Sequence, residues 1–401
     1  MREVFSMASN HPFVFVHGMM GWGEDKKLYK VLPYWGMVTG SFTKRMRAEG
    51  YEVYTPSVSP LGSAWDRACE LYANLTGGTV DYGVAHSKEK GHNRFGMTFP
   101  APMLPDWTPE RSIHLLGHSF GGPTMRLFVE LLTNGSPEER AATPEGQLSP
   151  LFEGGHGDLV KSITTISGPF NGITFPHALP KLVDGGLTYG LPAVASIIGN
   201  VGTGHVYDFK MSQWGITAVE DGVRFARNML NLKAIRNFGK AKDNVFADIH
   251  IPAAMELNKK ISCPENIYLF AVTGNGTRKN RKGNWSIAPI MFPLFAPFAY
   301  SLGKFPDQKI AGVDITEGWR MNDGIVPVES GRHPTTEPWV DWEDAKDKPI
   351  QKGIWHALPV ATGDHGTVIG GSLSFIGKGG KWIYRCGETA CPEDWKPQVR
   401  A

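Results

Sequence analysis

The stretch from Ser112 to Leu132 contains the best candidate for a nucleophile in the chain. Gly117-His118-Ser119-Phe120-Gly121 fits the pattern G-x-S-x-G, in which a serine occupies a tight turn between a strand and a helix. A hydroxyl on such a turn stands clear of the backbone and can attack an acyl carbon. The flanking glycines leave space where a Cβ would meet neighbouring chain. We predict that Ser119 is a nucleophile in acyl transfer; the alternative is a glycine-rich turn without chemistry.

A serine hydroxyl is a weak nucleophile until a histidine accepts its proton. In proteins with such a strand–turn–helix, called a nucleophile elbow, the catalytic residues follow along the chain in the order serine, acid, histidine. His365 lies in Thr362-Gly363-Asp364-His365-Gly366, a loop of small residues before the last apolar segment. His356 lies in an apolar run typical of a packed element. We predict His365 as the general base, with His356 as the alternative.

A carboxylate must orient that histidine. Asp323 lies on a turn bounded by apolar residues, ahead of His365 in the chain. Asp314 and Glu317 are nearby, in less defined settings. We predict Asp323 as the acid; for any of the three, the alternative is a carboxylate that caps a turn.

Two apolar strands have to position these groups. One, with Ile113, Leu115 and Leu116, leads into the elbow, and residues at helical spacing follow it. The other, Phe13-Val14-Phe15-Val16, runs into His17-Gly18-Met19. In folds with a serine turn of this kind, the loop after such a strand provides the second backbone N–H group of the oxyanion hole. We predict that the backbone N–H groups of Met19 and Phe120 form the oxyanion hole.

The remaining pattern predicts an α/β-hydrolase fold, with a mostly parallel central sheet flanked by helices. Further strands are expected at 51–55, 160–166 and 267–272, and residues 278–306 show no period and are expected to be irregular. We predict a single domain over residues 1–401, with insertions at about 61–105 and 170–250. The apolar, glycine-rich start of the second insertion is typical of a lid over an apolar site or of a packed helical insertion.

Composition excludes several classes of protein. The 41 Lys and Arg residues balance 39 Asp and Glu, so no basic surface for nucleic acid is expected. The sequence contains no run of 18 apolar residues, so no transmembrane helix is predicted, and the first residues lack the pattern of a signal peptide. Cys386 and Cys391 are close enough in sequence to form a disulfide, although spacing alone leaves this open.

The sequence resembles the lipase family of staphylococci and thermophilic bacilli over most of its length. Besides the elbow, the similarity rests on several longer motifs: Val16-His17-Gly18, Gly21-Trp22-Gly23, Tyr34-Trp35-Gly36, the segments 65–70, 77–83, 91–96, 148–156 and 206–210, and Asn322-Asp323-Gly324-Ile325-Val326. The resemblance implies an α/β-hydrolase with lipase or carboxylesterase activity and with Ser119, Asp323 and His365 as the triad. It also implies secretion, and transient contact with a lipid interface through the lid.

The resemblance further implies one structural zinc ion per chain. The matching ligand positions are Asp66, His86, His92 and Asp248. Two imidazoles and two carboxylates suit Zn²⁺, and four protein ligands make a closed site. Trp65, beside Asp66, could cover it.

The sequence departs from the family at the calcium site of the bacillus members. Where they have a glutamate two residues after the histidine and an Asp-Pro beyond it, this chain has Thr367 and Ser372-Leu373. Two charged ligands are missing, so no calcium is expected there.

We therefore predict a serine hydrolase that cleaves esters of apolar acids, with polyesters as an expectation by analogy alone. Two alternatives remain open: a zinc-stabilised binding protein without activity, and an acyltransferase that uses the same acyl-enzyme. Chain-length preference and oligomeric state do not follow from the sequence.

Overall fold

The computed structural model describes residues 11–198, 204, 206–218 and 230–371. Its centre is a seven-stranded sheet in which every neighbouring pair is parallel. In chain order the strands are β1 (Phe13–Val16), β2 (Val53–Tyr54), β3 (Ile113–His118), β4 (Val160–Ile166), β5 (Tyr268–Val272), β6 (Trp339–Asp341) and β7 (Trp355–Ala357). The spatial order is β6-β7-β5-β4-β3-β1-β2. The predicted α/β fold is confirmed.

The inner strands are apolar on both faces because helices cover the sheet on both sides. All four residues of β1, all six of β3 and all five of β5 are buried. The helices that surround the sheet and its insertions are Lys27–Val31, Phe42–Ala48, Ala64–Thr76, Val84–Lys90, Gly121–Asn134, Pro137–Ala142, Pro150–Glu153, Phe175–Ala178, Thr188–Ile198, Leu232–Ala241, Val245–Asp248, Ile251–Lys260, Ala296–Gly303, Val328–Arg332 and Trp342–Ala345. Single 3-10 turns form at Pro109–Arg111, Gly157–Leu159, Ser212–Trp214, Glu317–Arg320 and Thr367–Ile369.

The first predicted insertion carries regular structure of its own. It contains the helix Ala64–Thr76, which is almost entirely buried, and the antiparallel pair Gly78–Asp81 with Phe95–Phe99. The helix Val84–Lys90 lies between those two strands in the chain. The side chain of Ser63 accepts a hydrogen bond from the Asp66 N–H and so fixes the start of the long helix.

The second insertion begins directly after β4. It contains the helix Phe175–Ala178, a π-helix at Lys181–Leu187 and the helix Thr188–Ile198. Exposed apolar side chains occur along it, including Leu182 (42% exposed) and Val194 (43% exposed). Its role as a lid stays a prediction.

The prediction that residues 278–306 are irregular was wrong. They contain strands at Thr277–Lys279 and Trp285–Ile287, which pair antiparallel, and the helix Ala296–Gly303. That helix is short and mostly apolar, so it shows no amphipathic period. Tertiary contacts order it instead: Leu302 is buried, and the Phe298 ring meets the Phe175 ring edge-on with centroids 4.7 Å apart. Two further short pairs join Gln308–Ile310 to Val313–Ile315 and Gly274–Asn275 to Ala361–Thr362.

Two of the four cysteines can be placed. Cys69 is buried, Cys263 is partly buried, and both are free thiols. Cys386, Cys391 and Ser372 lie outside the described residues. Among the helices that the structure describes, none has both the length and the apolar character needed to cross a membrane.

Candidate active site and metal centre

Ser119 occupies a strained turn between β3 and the helix Gly121–Asn134. Its φ is +56°, a left-handed conformation that costs a non-glycine residue about 1 kcal/mol or more. The turn is held by hydrogen bonds from the Ser119 N–H to the Ile166 carbonyl (2.9 Å) and from the Gly122 N–H to the Ser119 carbonyl (2.9 Å). A Cβ on Gly121 would lie 2.3 Å from the Val16 carbonyl oxygen, so only glycine fits there. The turn thus packs closely against the end of β1.

The loop after β1 approaches Ser119 closely. A Cβ built on Gly18 would lie 3.2 Å from the Ser119 Oγ and 2.6 Å from its Cβ. Within the described part of the chain, the backbone N–H groups of Met19 and Phe120 donate no hydrogen bond. Two N–H groups without acceptors beside a serine hydroxyl are what an oxyanion hole requires.

Arg67 connects the loop after β1 to the helix that follows Ser119, a role that was not predicted from the sequence. Its side chain is fully buried and donates from Nη2 to the His17 carbonyl and from Nε to Thr124 Oγ1 (2.8 Å). Its guanidinium also lies 5.5 Å from the centroid of the Phe120 ring. The signal in the sequence was weak, because Arg67 is one of several charged residues in the stretch Ala64–Thr76.

His365 and Asp323 are brought together as a hydrogen-bonded pair. The His365 Nδ1 lies 2.8 Å from the Asp323 Oδ2. The other carboxylate oxygen, Oδ1, accepts the N–H groups of Ile325 (3.0 Å) and Val326 (2.8 Å), so the fully buried carboxylate cannot rotate. With Nδ1 engaged, the imidazole Nε2 is the atom left to exchange a proton with a substrate or with Ser119.

The alternative residues lie elsewhere. His356 is on β7, with its Nδ1 3.2 Å from the Leu269 carbonyl oxygen inside the sheet. Asp314 and Glu317 form exposed ion pairs with Lys309 (3.2 Å) and Lys279 (2.5 Å). Of the carboxylates considered in the sequence, Asp323 is therefore the one that meets His365.

Four residues from the two insertions form a compact cluster that could hold a metal ion: Asp66, His86, His92 and Asp243. One ligand atom from each residue lies within 4.8 Å of all the others. The Asp243 Oδ2 is 3.2 Å from the Nε2 of both histidines, and the Asp66 Oδ1 is 3.4 Å from the His86 Nε2. Their residue types are those that Zn²⁺ prefers.

The chemistry of the donors fits a cation. The Asp66 Oδ1 and the His92 Nε2 are buried and have no hydrogen-bond partner among the described residues. The Nδ1 of His92 lies 2.8 Å from the Asn93 carbonyl, which holds the proton on Nδ1 and leaves Nε2 as a lone-pair donor. Gln213 donates to the other Asp66 oxygen at 2.8 Å. Both orphaned atoms therefore face the centre of the cluster as ligands would.

The electrostatics of the four side chains point the same way. Burial and the charge of Asp243 raise the pKa of Asp66. Burial of the His86 imidazolium is outweighed by its contacts with the carboxylates of Asp243 and Asp66, which raise the pKa of His86 to about 9. The metal-free cluster therefore retains protons at neutral pH, and a divalent cation would displace them.

Asp248 is a correction to the sequence-based ligand set. Its Oδ2 accepts a hydrogen bond from the Ala64 N–H (2.8 Å), at the first residue of the helix that carries Asp66. Asn244 caps the short helix Val245–Asp248, and this turn directs Asp243, not Asp248, to the histidines. The predicted cover is present: the Trp65 ring stacks on His86 with centroids 4.9 Å apart.

Comparisons with known proteins show which family the chain belongs to. The family model described as "Lipase-like, C-terminal domain" matches residues 9–381. A lipase of Staphylococcus epidermidis strain RP62A is 35% identical over 356 residues, which are 88% of this chain and 48% of that protein. The chain thus spans about half the length of the curated relatives it matches.

Solved structures give a similar result. The Staphylococcus hyicus lipase is 32% identical, with a TM-score of 0.80 and 95% of each chain covered. EstA from Clostridium botulinum is 30% identical, with a TM-score of 0.77, over 98% of this chain and 89% of that chain.

Proposed function

This chain belongs to the lipase-like family that includes the staphylococcal lipases, and we propose that it hydrolyses carboxylic esters through an acyl-enzyme on Ser119. The observation that carries the proposal is the His365–Asp323 pair, held at 2.8 Å by a carboxylate that cannot turn, together with a serine on a strained elbow. This combination prepares a proton acceptor and a nucleophile, the two groups that ester cleavage needs.

The steps follow from the donors and acceptors. The His365 Nε2 accepts the Ser119 hydroxyl proton while Oγ bonds to the acyl carbon, and the negative charge moves to the carbonyl oxygen. The N–H groups of Met19 and Phe120 stabilise that charge, helped by the positive end of the helix Gly121–Asn134. The imidazolium then protonates the leaving alcohol, and a water molecule, deprotonated in turn by His365, releases the acid.

Hydrolysis of a chromogenic ester such as p-nitrophenyl butyrate tests the proposal. Wild type should turn over, and Ser119→Ala should lose at least ~10³-fold in kcat while remaining folded. An inactive wild type over a series of acyl lengths, or an equally active Ser119→Ala, would overturn it. The former result favours a binding protein.

Apolar esters are the proposed substrates. Leu179, Leu182 and Val194 expose apolar side chains on the insertion that follows β4, where a lid would lie. If this segment contacts lipid, the rate on tributyrin should rise steeply once the substrate exceeds its solubility and forms droplets. A rate that saturates smoothly through that concentration would argue for a simple esterase. A polyester film in the same assay tests polymer cleavage.

We also propose that Asp66, His86, His92 and Asp243 hold one zinc ion. Four protein ligands close the site, so the ion would serve as a structural cross-link between the two insertions and leave no open position for substrate. Metal analysis should find about one Zn²⁺ per chain, and a chelator should lower the melting temperature. A metal-free protein whose melting is unchanged by chelator would refute this.

A further inference from the structure

A continuous chain of buried hydrogen bonds links three loops of the candidate active site. The Tyr34 hydroxyl oxygen lies 3.0 Å from the Gly18 N and 2.7 Å from the His118 Nδ1. The His118 Nε2 lies 2.9 Å from the His365 carbonyl oxygen. Gly18 precedes the proposed oxyanion donor Met19, and His118 precedes Ser119. This series of hydrogen bonds therefore runs from the loop that carries Met19, past the turn at Ser119, to the loop that carries His365.

The direction of every hydrogen bond in this chain is fixed for a neutral His118. A carbonyl oxygen can only accept, so the His118 Nε2 carries the proton and donates to His365. Nδ1 is then a lone pair, and Tyr34 must donate its hydroxyl proton to it. The Tyr34 oxygen remains free to accept the Gly18 N–H.

The surroundings keep these groups in the required form. Burial, together with the neighbouring His365, lowers the pKa of His118 well below its ordinary value, so the ring is neutral. Burial raises the pKa of Tyr34 to about 12, so its hydroxyl stays protonated. The Trp22 and Trp35 rings meet the Tyr34 ring edge-on, with centroids 5.7 and 5.3 Å away, and prevent it from swinging aside.

We propose that Tyr34 and His118 are positioning residues that set the oxyanion loop and the His365 loop at a fixed separation across the elbow. This inference rests on the proposed ester hydrolysis. The bonded residues are far apart in sequence: Gly18 and Tyr34 by 16 residues, Tyr34 and His118 by 84, and His118 and His365 by 247. No local structure therefore fixes the three segments relative to one another. The His118 ring also packs against the His365 ring, with centroids 4.5 Å apart, and so supports the proposed base.

A second buried tyrosine in the same segment of the protein, Tyr29, provides a matched control for the test. Tyr29 lies five residues before Tyr34, is 5% exposed against 8% for Tyr34, and uses its hydroxyl to contact Thr43 Oγ1 at 3.0 Å. Tyr29→Phe and Tyr34→Phe each remove one buried tyrosine hydroxyl from the same segment. Only Tyr34→Phe removes the hydroxyl that the Gly18 N–H and the His118 Nδ1 contact.

We expect Tyr34→Phe to lower kcat on a p-nitrophenyl ester about tenfold or more, with KM within about twofold, because small displacements of donor and base act on the transition state. Tyr29→Phe should keep the wild-type kcat, even where it loses as much melting temperature. Equal kcat for Tyr34→Phe and Tyr29→Phe would overturn the inference.

Two variants of His118 provide a second measurement, should Tyr34→Phe fail to fold. A glutamine can still offer an N–H to the His365 carbonyl, whereas phenylalanine cannot, so His118→Gln should retain several times the kcat of His118→Phe. Equal activity of the two would also overturn it. Failure of the proposed function is distinguishable, since it would show as an inactive wild type or as an active Ser119→Ala.

Discussion

His365 is tied to Asp323 twice: its Nδ1 lies 2.8 Å from the carboxylate Oδ2, and its backbone N–H donates to the Asp323 carbonyl oxygen at 2.8 Å. The first contact orients the ring and the second fixes the loop that carries it. Asp323 therefore holds both the ring and the backbone of His365.

Replacement of Asp323 by asparagine should lower kcat by about 10³–10⁴-fold, by analogy with the same change in serine proteases. The amide oxygen would stay on the N–H groups of Ile325 and Val326. The NH₂ would then face His365 Nδ1 and force the proton onto Nε2, where it blocks transfer from serine. Steady-state kinetics with a thermal melt check this. Asp314→Asn, at an exposed ion pair, should behave as wild type; a mildly impaired Asp323→Asn would contradict the assignment.

Ser119→Ala and His365→Ala should each lose at least ~10³-fold in kcat, and the double variant should lose little more than either. The reason is that nucleophile and base perform one step together. Comparison of the four proteins on one chromogenic ester measures the coupling. Losses that multiply would mean that the two residues do not act on the same proton.

Asp243→Asn should abolish stoichiometric zinc, whereas Asp248→Asn should retain it. Asp243 faces both histidines at 3.2 Å, and Asp248 only supports the Ala64 N–H. Asp243 is buried and Asp248 is partly buried, and the two aspartates lie five residues apart, so each serves as the other's control. Metal content of the purified variants, measured by mass spectrometry, decides between them; zinc lost from Asp248→Asn alone would restore the ligand set expected from the sequence.

Calcium should not stabilise the protein at the family position. The Asp364 Oδ1 accepts hydrogen bonds from the N–H groups of Gly366 (3.0 Å) and Thr367 (2.8 Å) and from the Thr367 hydroxyl (2.8 Å), and its Oδ2 accepts from the Phe292 N–H (2.7 Å). These oxygens are already engaged, and Thr367 adds no charge. With zinc saturated, melting temperatures in EGTA and in millimolar Ca²⁺ should be equal. A rise of several degrees, lost in Thr367→Ala, would reveal a site with other ligands.

The elbow was predictable because its signal is local. A strand, a turn with glycines at fixed offsets and a helix follow each other within residues 113–134, and the structure has them at Ile113–His118 and Gly121–Asn134. Chain order then directed attention to Asp323 and His365. Strands β1 and β5 were likewise predictable because their apolar runs are continuous in sequence.

The braces of the site were not predictable in this way. Arg67, Tyr34 and His118 each make a side-chain contact with a residue 50 or more positions away in the chain. The residues next to each of them in the sequence do not indicate these partners. Only the folded chain shows what it touches.

The sequence by itself determined the fold class and the turn that carries Ser119, and it predicted the kind of chemistry, because each depends on residue types at short, fixed spacings. Only the tertiary structure decided between Asp243 and Asp248, which lie on one short segment with nothing local to separate them. The choice depends on which carboxylate the capped turn at Asn244 directs toward His86 and His92, and those histidines come from an insertion about 150 residues earlier in the chain. Ligand geometry is set by the packing of distant segments, and that packing leaves no periodic trace in the sequence.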